Sequence, residues 1–509
     1  MRITNNMMLR NTTNNINGNK VNVNNLNNQM SSQKKISRPS EDPVVAIRAL
    51  RLRSNLSEIN QYYEKNIPDA EAWLDVTETA LYNMKTILTD IRDQCVYGAT
   101  DALKTEDRKT ILTALESLRK QIYAEGNSDY AGRTVFTGYR TNSKLTFMTD
   151  EDDTEYNITQ NFTYNDIEEH RYYDGQVELG TAADMAANPG NAPDPSTAAF
   201  DRIRLAYGEI SDTPAPVVTY TTTDVNGATV QNTLTPTIYE TMDDWKASQG
   251  GMTVGANDAV FIQETGELII GKTVSETLKQ EKSNITIDYT KKGFDKGEVR
   301  PEYYFNCTDV TATNAKPITY EKYDANGKEI PQDINYIIAF SQTLTVNTNA
   351  SDVFDASIGR DVDEMISAVQ AAMDAHDKVD KINEMMKLEE YSGENEQKAL
   401  QTWLDAAQKE TDYADDNLQK LYNSYIGNFD KYLSDVNLAI TTVGSKGDRL
   451  SLTETRMSNQ QLTVETLKSS NEDRELSDII IDYTAAYTAY EASLQAAGKI
   501  NQNTLLNYI

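Results

Sequence analysis

The chain is 509 residues long, enough for two to four domains and a sizeable buried core. Its formal net charge of -30 argues against nucleic acid as a partner, because phosphates would be repelled, and suits a well-solvated chain. Only two cysteines occur, Cys95 and Cys307, in segments of different kind, so a disulfide framework is excluded as the stabilising device; no run of 18 apolar residues exists, so no membrane insertion is expected.

The first residues, Met1-Arg2-Ile3-Thr4-Asn5-Asn6, carry neither an apolar core nor a small-residue cleavage site, so a cleaved secretory signal is not expected. That leaves the cytoplasm, or export by a route that reads something else. Twelve of the first thirty residues are Asn, whose amide competes for backbone hydrogen bonds and weakens a helix. Ile16, Val23, Leu26 and Met30 nevertheless keep helical spacing. Residues 1–40 read as an N-terminal assembly helix, disordered in the monomer and folding on contact. They hold six basic residues and no acidic one, whereas 475–509 hold Glu475, Asp478, Asp482 and Glu491 against Lys499. The two ends should therefore attract, although solvated pairs add only about 0–1 kcal/mol each.

Ser37-Arg38-Pro39-Ser40-Glu41-Asp42-Pro43 stops one helix and starts another, with Asp42 as cap and Pro43 in the first turn. A heptad then runs from Val45 to Ile91, apolar at twelve of fourteen positions, which predicts about 70 Å of helix at 1.5 Å per residue. Pro68 should kink or split it. After a loop from Gly98 to Thr105, a third helix is expected over about 106–124. Helical spacing stops near Gly132-Arg133-Thr134-Val135-Phe136-Thr137-Gly138-Tyr139, which predicts a short strand or hairpin. Residues 41–144 read as the N-terminal half of a helical rod.

From 145 to 355 the chain is rich in Thr, Tyr, Val, Asn and Asp, and reads as β-rich insertion, one domain or two. Hairpins are expected around Asn226-Gly227, between Val260-Phe261-Ile262 and Leu268-Ile269-Ile270, and at Asn326-Gly327. Residues 181–200 read as a loop and 239–249 as a short helix. Helical spacing returns at Asp361 and continues through Leu400, Leu418, Tyr425, Phe429, Val436, Leu450 and Met457, with Gly444 and Gly447 as weak points at about 1 kcal/mol each. Residues 356–470 form the C-terminal half of the rod. The last segment, 471–509, carries Leu476, Ile480, Tyr483, Tyr487, Tyr490, Leu494 and Ala497 in alternating steps of four and three, followed by Leu505, Leu506 and Ile509; it reads as a C-terminal assembly helix. A closed monomer core is the alternative for this stripe. The fold class is α+β multidomain: a long antiparallel helical-bundle rod built from both chain ends, with β-rich domains inserted in the middle. Closing so long a loop costs roughly 5 kcal/mol, which several paired helices can offset.

Nothing points to catalysis or to a cofactor. No HExxH, Cys/His cluster or GxSxG elbow is present. Glu168-Glu169-His170 reads as solvated loop charge, His376 as part of a polar helix face, and Cys95 as core rather than nucleophile.

These residues resemble the flagellin superfamily, and within it the hook-associated protein 3 family. Met1-Arg2-Ile3-Thr4-Asn5 resembles the family opening, Pro39-Ser40-Glu41-Asp42-Pro43 its N-P-S-D-D-P turn, and Gly132 to Tyr139 its G-R-Y-I-F-A-G-Y segment. Ile91-Arg92-Asp93-Gln94-Cys95-Val96-Tyr97 is similar to the flagellin segment I/M-R-E-L-A-V-Q. Leu494-Gln495-Ala496-Ala497 and Leu505-Leu506-Asn507-Tyr508-Ile509 resemble the common C-terminal pattern. The resemblance covers about 1–140 and 360–509. It implies a non-enzymatic structural subunit at the hook–filament junction of the bacterial flagellum, exported unfolded through the flagellum-specific type III apparatus, with the β insert pointing outward. The implied partners are copies of itself, hook-associated protein 1, flagellin and a cytoplasmic export chaperone. The rival readings are a filament-forming flagellin, a surface adhesin using the β insert, and an enzyme grafted into that insert.

Overall fold

The computed structural model describes residues 5–100, 103–174, 177, 179, 194–223, 228–248, 251–312, 316–325 and 327–502. The helices come from the two chain ends and the sheets from the middle of the sequence. The chain divides into two compact units, one of Met1–Glu71, Asn335–Leu344 and Gly447–Ile509, the other of Ala72–Ile334 and Thr345–Lys446. These cuts fall at other places than the five segments outlined by the sequence.

The first unit contains α1 (Asn5–Ser32), α2 (Pro43–Gln61), the beginning of α3 (Ile67–Gly98), the end of a 79-residue helix α8 (Glu394–Glu472), and α9 (Leu476–Gln502). Asp42 caps α2 as expected: its Oδ1 accepts from Val44 N at 2.9 Å and Val45 N at 3.2 Å, and Pro43 needs no donor at that position. Pro68 neither breaks nor ends the helix. It lacks the N–H that would bond Glu64 O, and its ring crowds that carbonyl. The strain is absorbed one turn earlier: Tyr62–Asn66 widen into a π turn, and Ile67 N reaches back to Tyr62 O. The extra residue advances the seam, so Ile67 is buried after the turn. Gly444 and Gly447 likewise leave α8 unbroken.

A hairpin from the middle of the sequence also belongs to this unit. Strands β14 (Asn335–Ala339) and β15 (Gln342–Thr345) are held to the helices by Asn66 Nδ2 donating to Ile337 O at 2.7 Å, Tyr336 OH donating to Asp69 Oδ2 at 3.0 Å, and Arg449 Nη2 donating to Thr343 O at 3.1 Å. The sequence reading assigned this stretch to the β-rich insertion. Its alternation is that of any strand, and its attachment depends on polar groups more than a hundred residues away.

The second unit carries the sheets. A six-stranded antiparallel sheet is ordered β13 (Ile318–Tyr320), β12 (Asn306–Asp309), β3 (Glu155–Thr163), β11 (Asn284–Lys292), β6 (Val217–Thr223) and β7 (Thr229–Leu234). A five-stranded sheet is ordered β4 (Glu168–Asp174), β5 (Ser196–Arg204), β10 (Glu267–Ile270), β9 (Ala259–Ile262) and β8 (Thr237–Tyr239), with only the β8–β9 pair parallel. The β6–β7 and β9–β10 hairpins are those expected, and α5 (Met242–Lys246) lies within the helix expected at 239–249. A further helix, α6 (Lys272–Gln280), follows β10. Trp245 on α5 is fully buried among Tyr172, Val260, Ile262 and Ile269. The hairpin β1 (Asp129–Tyr130) to β2 (Arg133–Thr134) turns through Ala131 and Gly132, at φ 51° and 79°, the left-handed pair that a two-residue turn requires.

The structure departs from the sequence expectations at three places in this unit. The third helix, α4 (Thr105–Arg119), ends five residues early and continues as turns. Residues 196–200 are not loop but the start of β5, whose ladder with β4 pairs Asp174 with Ser196. Glu168, Glu169 and His170 lie in strand β4, and Glu168 and His170 are not solvated loop charge. Arg202 is 1% exposed and forks onto Glu168, Glu267 and Glu364, each at 2.8 Å. Arg204 joins Glu364 at 2.6 Å and also pairs with Asp361. Asp361 and Glu364 come from α7 (Ser357–Met385), and Tyr425 and Tyr432 of α8 donate to Glu364 and Asp361 at 2.5 and 2.9 Å. The network fastens the five-stranded sheet to these helices. Burial, reinforced by Arg202, pushes His170 down to about 3, so the ring is neutral although its Nδ1 lies 3.4 Å from Glu364. His376 on α7 sits 3.0 Å from Asp415, which also holds Arg108 at 2.5 Å.

Cys95 is core, as expected. It is fully buried, its Sγ lies 3.2 Å from Met365 Sδ, and burial pushes the thiol up to about 12, which removes it as a nucleophile. Among the described residues no group of three or more His, Cys, Asp or Glu could hold a metal ion, and no helix is long and apolar enough to cross a membrane.

Candidate assembly interface

The first and last helices of the chain lie against each other within the first unit. Along α1 the half-buried positions are Thr12, Ile16, Asn19, Val23, Leu26 and Met30, alternating by four and three, with Gln29 beside the last. Ile16, Val23, Leu26 and Met30 are the residues expected from the sequence. Thr12 and Asn19 were hidden by their polarity; Asn19 Nδ2 donates to Ala489 O on α9 at 3.4 Å.

On α9 the expected stripe separates into two. The protected face is Ile479, Tyr483, Ala486, Tyr490, Ser493 and Ala497, again in steps of four and three, with Ile479 fully buried. Tyr483, Tyr490 and Ala497 therefore belong to the inner seam. Leu476, Ile480, Tyr487 and Leu494 do not: they are 43%, 47%, 44% and 45% exposed. Ile481 and, on α1, Met7, Met8, Leu9 and Val21 are exposed as well. An α-helix with two apolar lines one residue apart in phase looks, in sequence, like one broad stripe; only the partner's position separates them. Leu505, Leu506 and Ile509 lie outside the described residues.

The seam is thin. No described residue of α1 is buried, and Ile479 is the one buried residue of α9 within its described range. Charge closes the end of the pair where the helices turn. Lys34 pairs with Asp473 and lies 3.6 Å from Glu472. Arg53 of α2 takes Glu472 with two bonds of 2.8 and 2.7 Å. Lys35 N donates to Glu472 O at 2.7 Å, and Arg474 N donates to Gln33 O at 3.0 Å. The expected attraction of basic beginning for acidic end is thus made by Glu472 and Asp473, just ahead of the segment singled out. Within that segment Asp482 pairs locally with Arg474. The bonds from Arg53 and the charge of Lys34 hold the Glu472 carboxyl below its usual range, and Lys34 does the same for Asp473. Such depressed carboxyls favour the closed turn at neutral pH and lose that contribution as pH falls below the ordinary carboxylate range.

Two helices joined by half-buried positions and a single buried residue, with a second apolar line open, are marginal by themselves. Amide exchange on the isolated chain is accordingly expected to be fast across 5–32 and 476–502 and slow across 67–98, where Trp73, Leu81, Met84, Leu88 and Ile91 are fully buried. Equal protection of the terminal helices would instead show a closed monomer.

Residues 3–141 match the family model of the bacterial flagellin N-terminal helical region. This N-terminal region is therefore similar to that of bacterial flagellins. It is 30% identical over 142 residues to flagellar hook-associated protein 3 of Salmonella typhimurium, a match spanning 28% of this chain and 44% of that protein. To flagellar hook-associated protein 3 of Escherichia coli it is 31% identical over 114 residues, 22% of this chain and 36% of that one. The match thus spans less than half the length of either curated relative. Among solved structures, FlgL of Xanthomonas campestris is 12% identical, with 82% of this chain and 99% of that chain covered at a TM-score of 0.30. The flagellar junction protein FlgL of Legionella pneumophila is 11% identical, with 84% and 100% covered, also at 0.30. Likenesses this loose carry no functional weight. The matched region contains α1, α2, α3, α4 and the β1–β2 hairpin.

Proposed function

We propose that this chain is a structural, non-catalytic subunit of the bacterial flagellum, placed outside the cell at the junction between hook and filament. The observation that carries this reading is the 30% identity over 142 residues with flagellar hook-associated protein 3, a protein named for the hook. The terminal helices support it: they pair through a thin seam and keep Leu476, Ile480, Tyr487 and Leu494 open. Coiled-coil packing of these helices against copies of the same chain would cover that line and hold the subunit in place. Hook-associated protein 1 is the partner on the hook side and flagellin on the filament side. A cytoplasmic chaperone covers the apolar C-terminal helix before export without a cleaved signal, because an exposed apolar helix is an aggregation hazard.

Electron micrographs of cells lacking the chain test this directly. Hooks without filaments, together with unassembled flagellin in the medium, are expected. Full filaments on those cells would remove the junction role, and hooks without any flagellin in the medium would mean that the chain is itself the filament subunit.

A further inference from the structure

The second unit contains a cleft of about 880 Å³ bordered by the end of α4, the turn after β5, the segment after β11 and the first turn of α7. A space of this size suits a small organic molecule. Tyr123, Phe147 and Met148 form its apolar wall, and Met148 is 54% exposed.

Arg360 is the unusual group. The other arginines near it are matched. Arg119 forks onto Asp363 at 2.7 and 2.9 Å, and Arg202 and Arg204 sit in the carboxylate network that fastens the five-stranded sheet. Arg360 donates only to the backbone carbonyl of Thr265; its Nε is shut off from solvent with no hydrogen-bond partner, and it forms no ion pair with any described residue. A half-buried guanidinium left without a counter-charge is costly, and a carboxylate is a group that its remaining N–H donors bind well. The site also disfavours more highly charged anions. Besides the Arg119–Asp363 pair, Glu209, Glu264, Asp295 and Glu298 line the cleft against Lys120, Lys291 and Lys296. With Arg360 counted, the five acidic and five basic side chains of the lining balance, so a singly charged carboxylate leaves less uncompensated negative charge than a phosphate dianion.

We propose that this cleft binds a small organic carboxylate, with the ligand's carboxyl group on Arg360 and its body against Tyr123, Phe147 and Met148. The site is independent of the terminal helices and of the junction role.

The test uses the full chain and isothermal titration with acetate, glucuronate, glucose and inorganic phosphate. Glucuronate and glucose differ at one carbon, a carboxylate against a hydroxymethyl group. Binding of glucuronate at least tenfold tighter than glucose, and tighter than phosphate, is expected. Arg360→Gln should weaken glucuronate at least tenfold with the thermal transition retained. Should that variant fail to fold, Arg360→Lys keeps the charge and loses the fork, and Lys296→Glu adds a negative charge at the exposed rim; each should weaken glucuronate severalfold. The proposal is overturned if neither acetate nor glucuronate gives a response that depends on Arg360, or if phosphate binds more tightly than glucuronate.

Discussion

Replacing Ile480, Tyr487 and Leu494 together by Asp is expected to leave the isolated chain as stable as before and to abolish its incorporation into flagella. All three side chains are about half exposed in the single chain, so little is lost on folding. In an assembled tube each would be covered, and full burial of such side chains contributes about 1.5–3 kcal/mol apiece. Removing three of them and placing charges in the seam should weaken association by about 5 kcal/mol or more, over a thousandfold. The matching change on the inner seam, Ile479→Asp, should behave differently: Ile479 is fully buried within its own chain, and its loss should lower monomer stability at the α8–α9 turn. Thermal melts of the purified variants and motility of cells carrying them separate the two. Normal motility in the triple variant would remove the exposed line from the assembly surface.

The second large effect concerns Arg202. Arg202→Met is expected to destabilise the sheet-bearing unit by about 3–5 kcal/mol at neutral pH, because it leaves Glu267 and Glu364 buried without their main counter-charge. Fluorescence of buried Trp245 reports unfolding of that unit. The penalty should shrink in acid. In the native network burial pushes Glu364 up, but Arg202 and Arg204 outweigh it and hold the carboxyl well below its usual range. Its contribution is therefore full above pH 4.5, the ordinary Glu value, and is lost as pH falls further. Glu267 and Asp361 work in the opposite sense: burial outweighs the arginines and raises both, so each favours the folded state in acid and costs stability as pH rises through its raised value. Without Arg202 all these carboxyls are easier to protonate, and at pH near 4 the variant should lie closer to the parent than at pH near 7. An equal penalty at both values would mean that lost packing, not charge, sets the effect.

Much of the helical part was legible from spacing. Asp42-Pro43 marks the start of α2, the heptad from Val45 to Ile91 marks α2 and α3, and the stripe from Leu418 to Met457 marks α8, because a helix that buries one face must repeat with its own period. The β6–β7 and β9–β10 hairpins were legible because a tight turn between two β-prone runs is a local event. The network around Arg202 was not. Its charges come from residues 168, 202, 267, 361 and 364, and charged side chains in an acidic protein look alike until the fold removes water from some of them. Gly98 shows the same limit: a Cβ there would lie 2.4 Å from the ring of Tyr422, a requirement set by a residue more than three hundred positions away.

For the terminal helices, periodicity in the sequence determined which segments carry apolar faces: 5–32 and 476–502 both repeat by fours and threes, which follows from side-chain order alone. Tertiary structure decided which line on α9 is used within the chain and which is left open. The seam through Ile479, Tyr483 and Tyr490 is covered by α1, and the line through Ile480, Tyr487 and Leu494 is not. Local order sets amphipathicity, but coverage depends on where a distant helix lies, and neighbouring residues do not encode that distance.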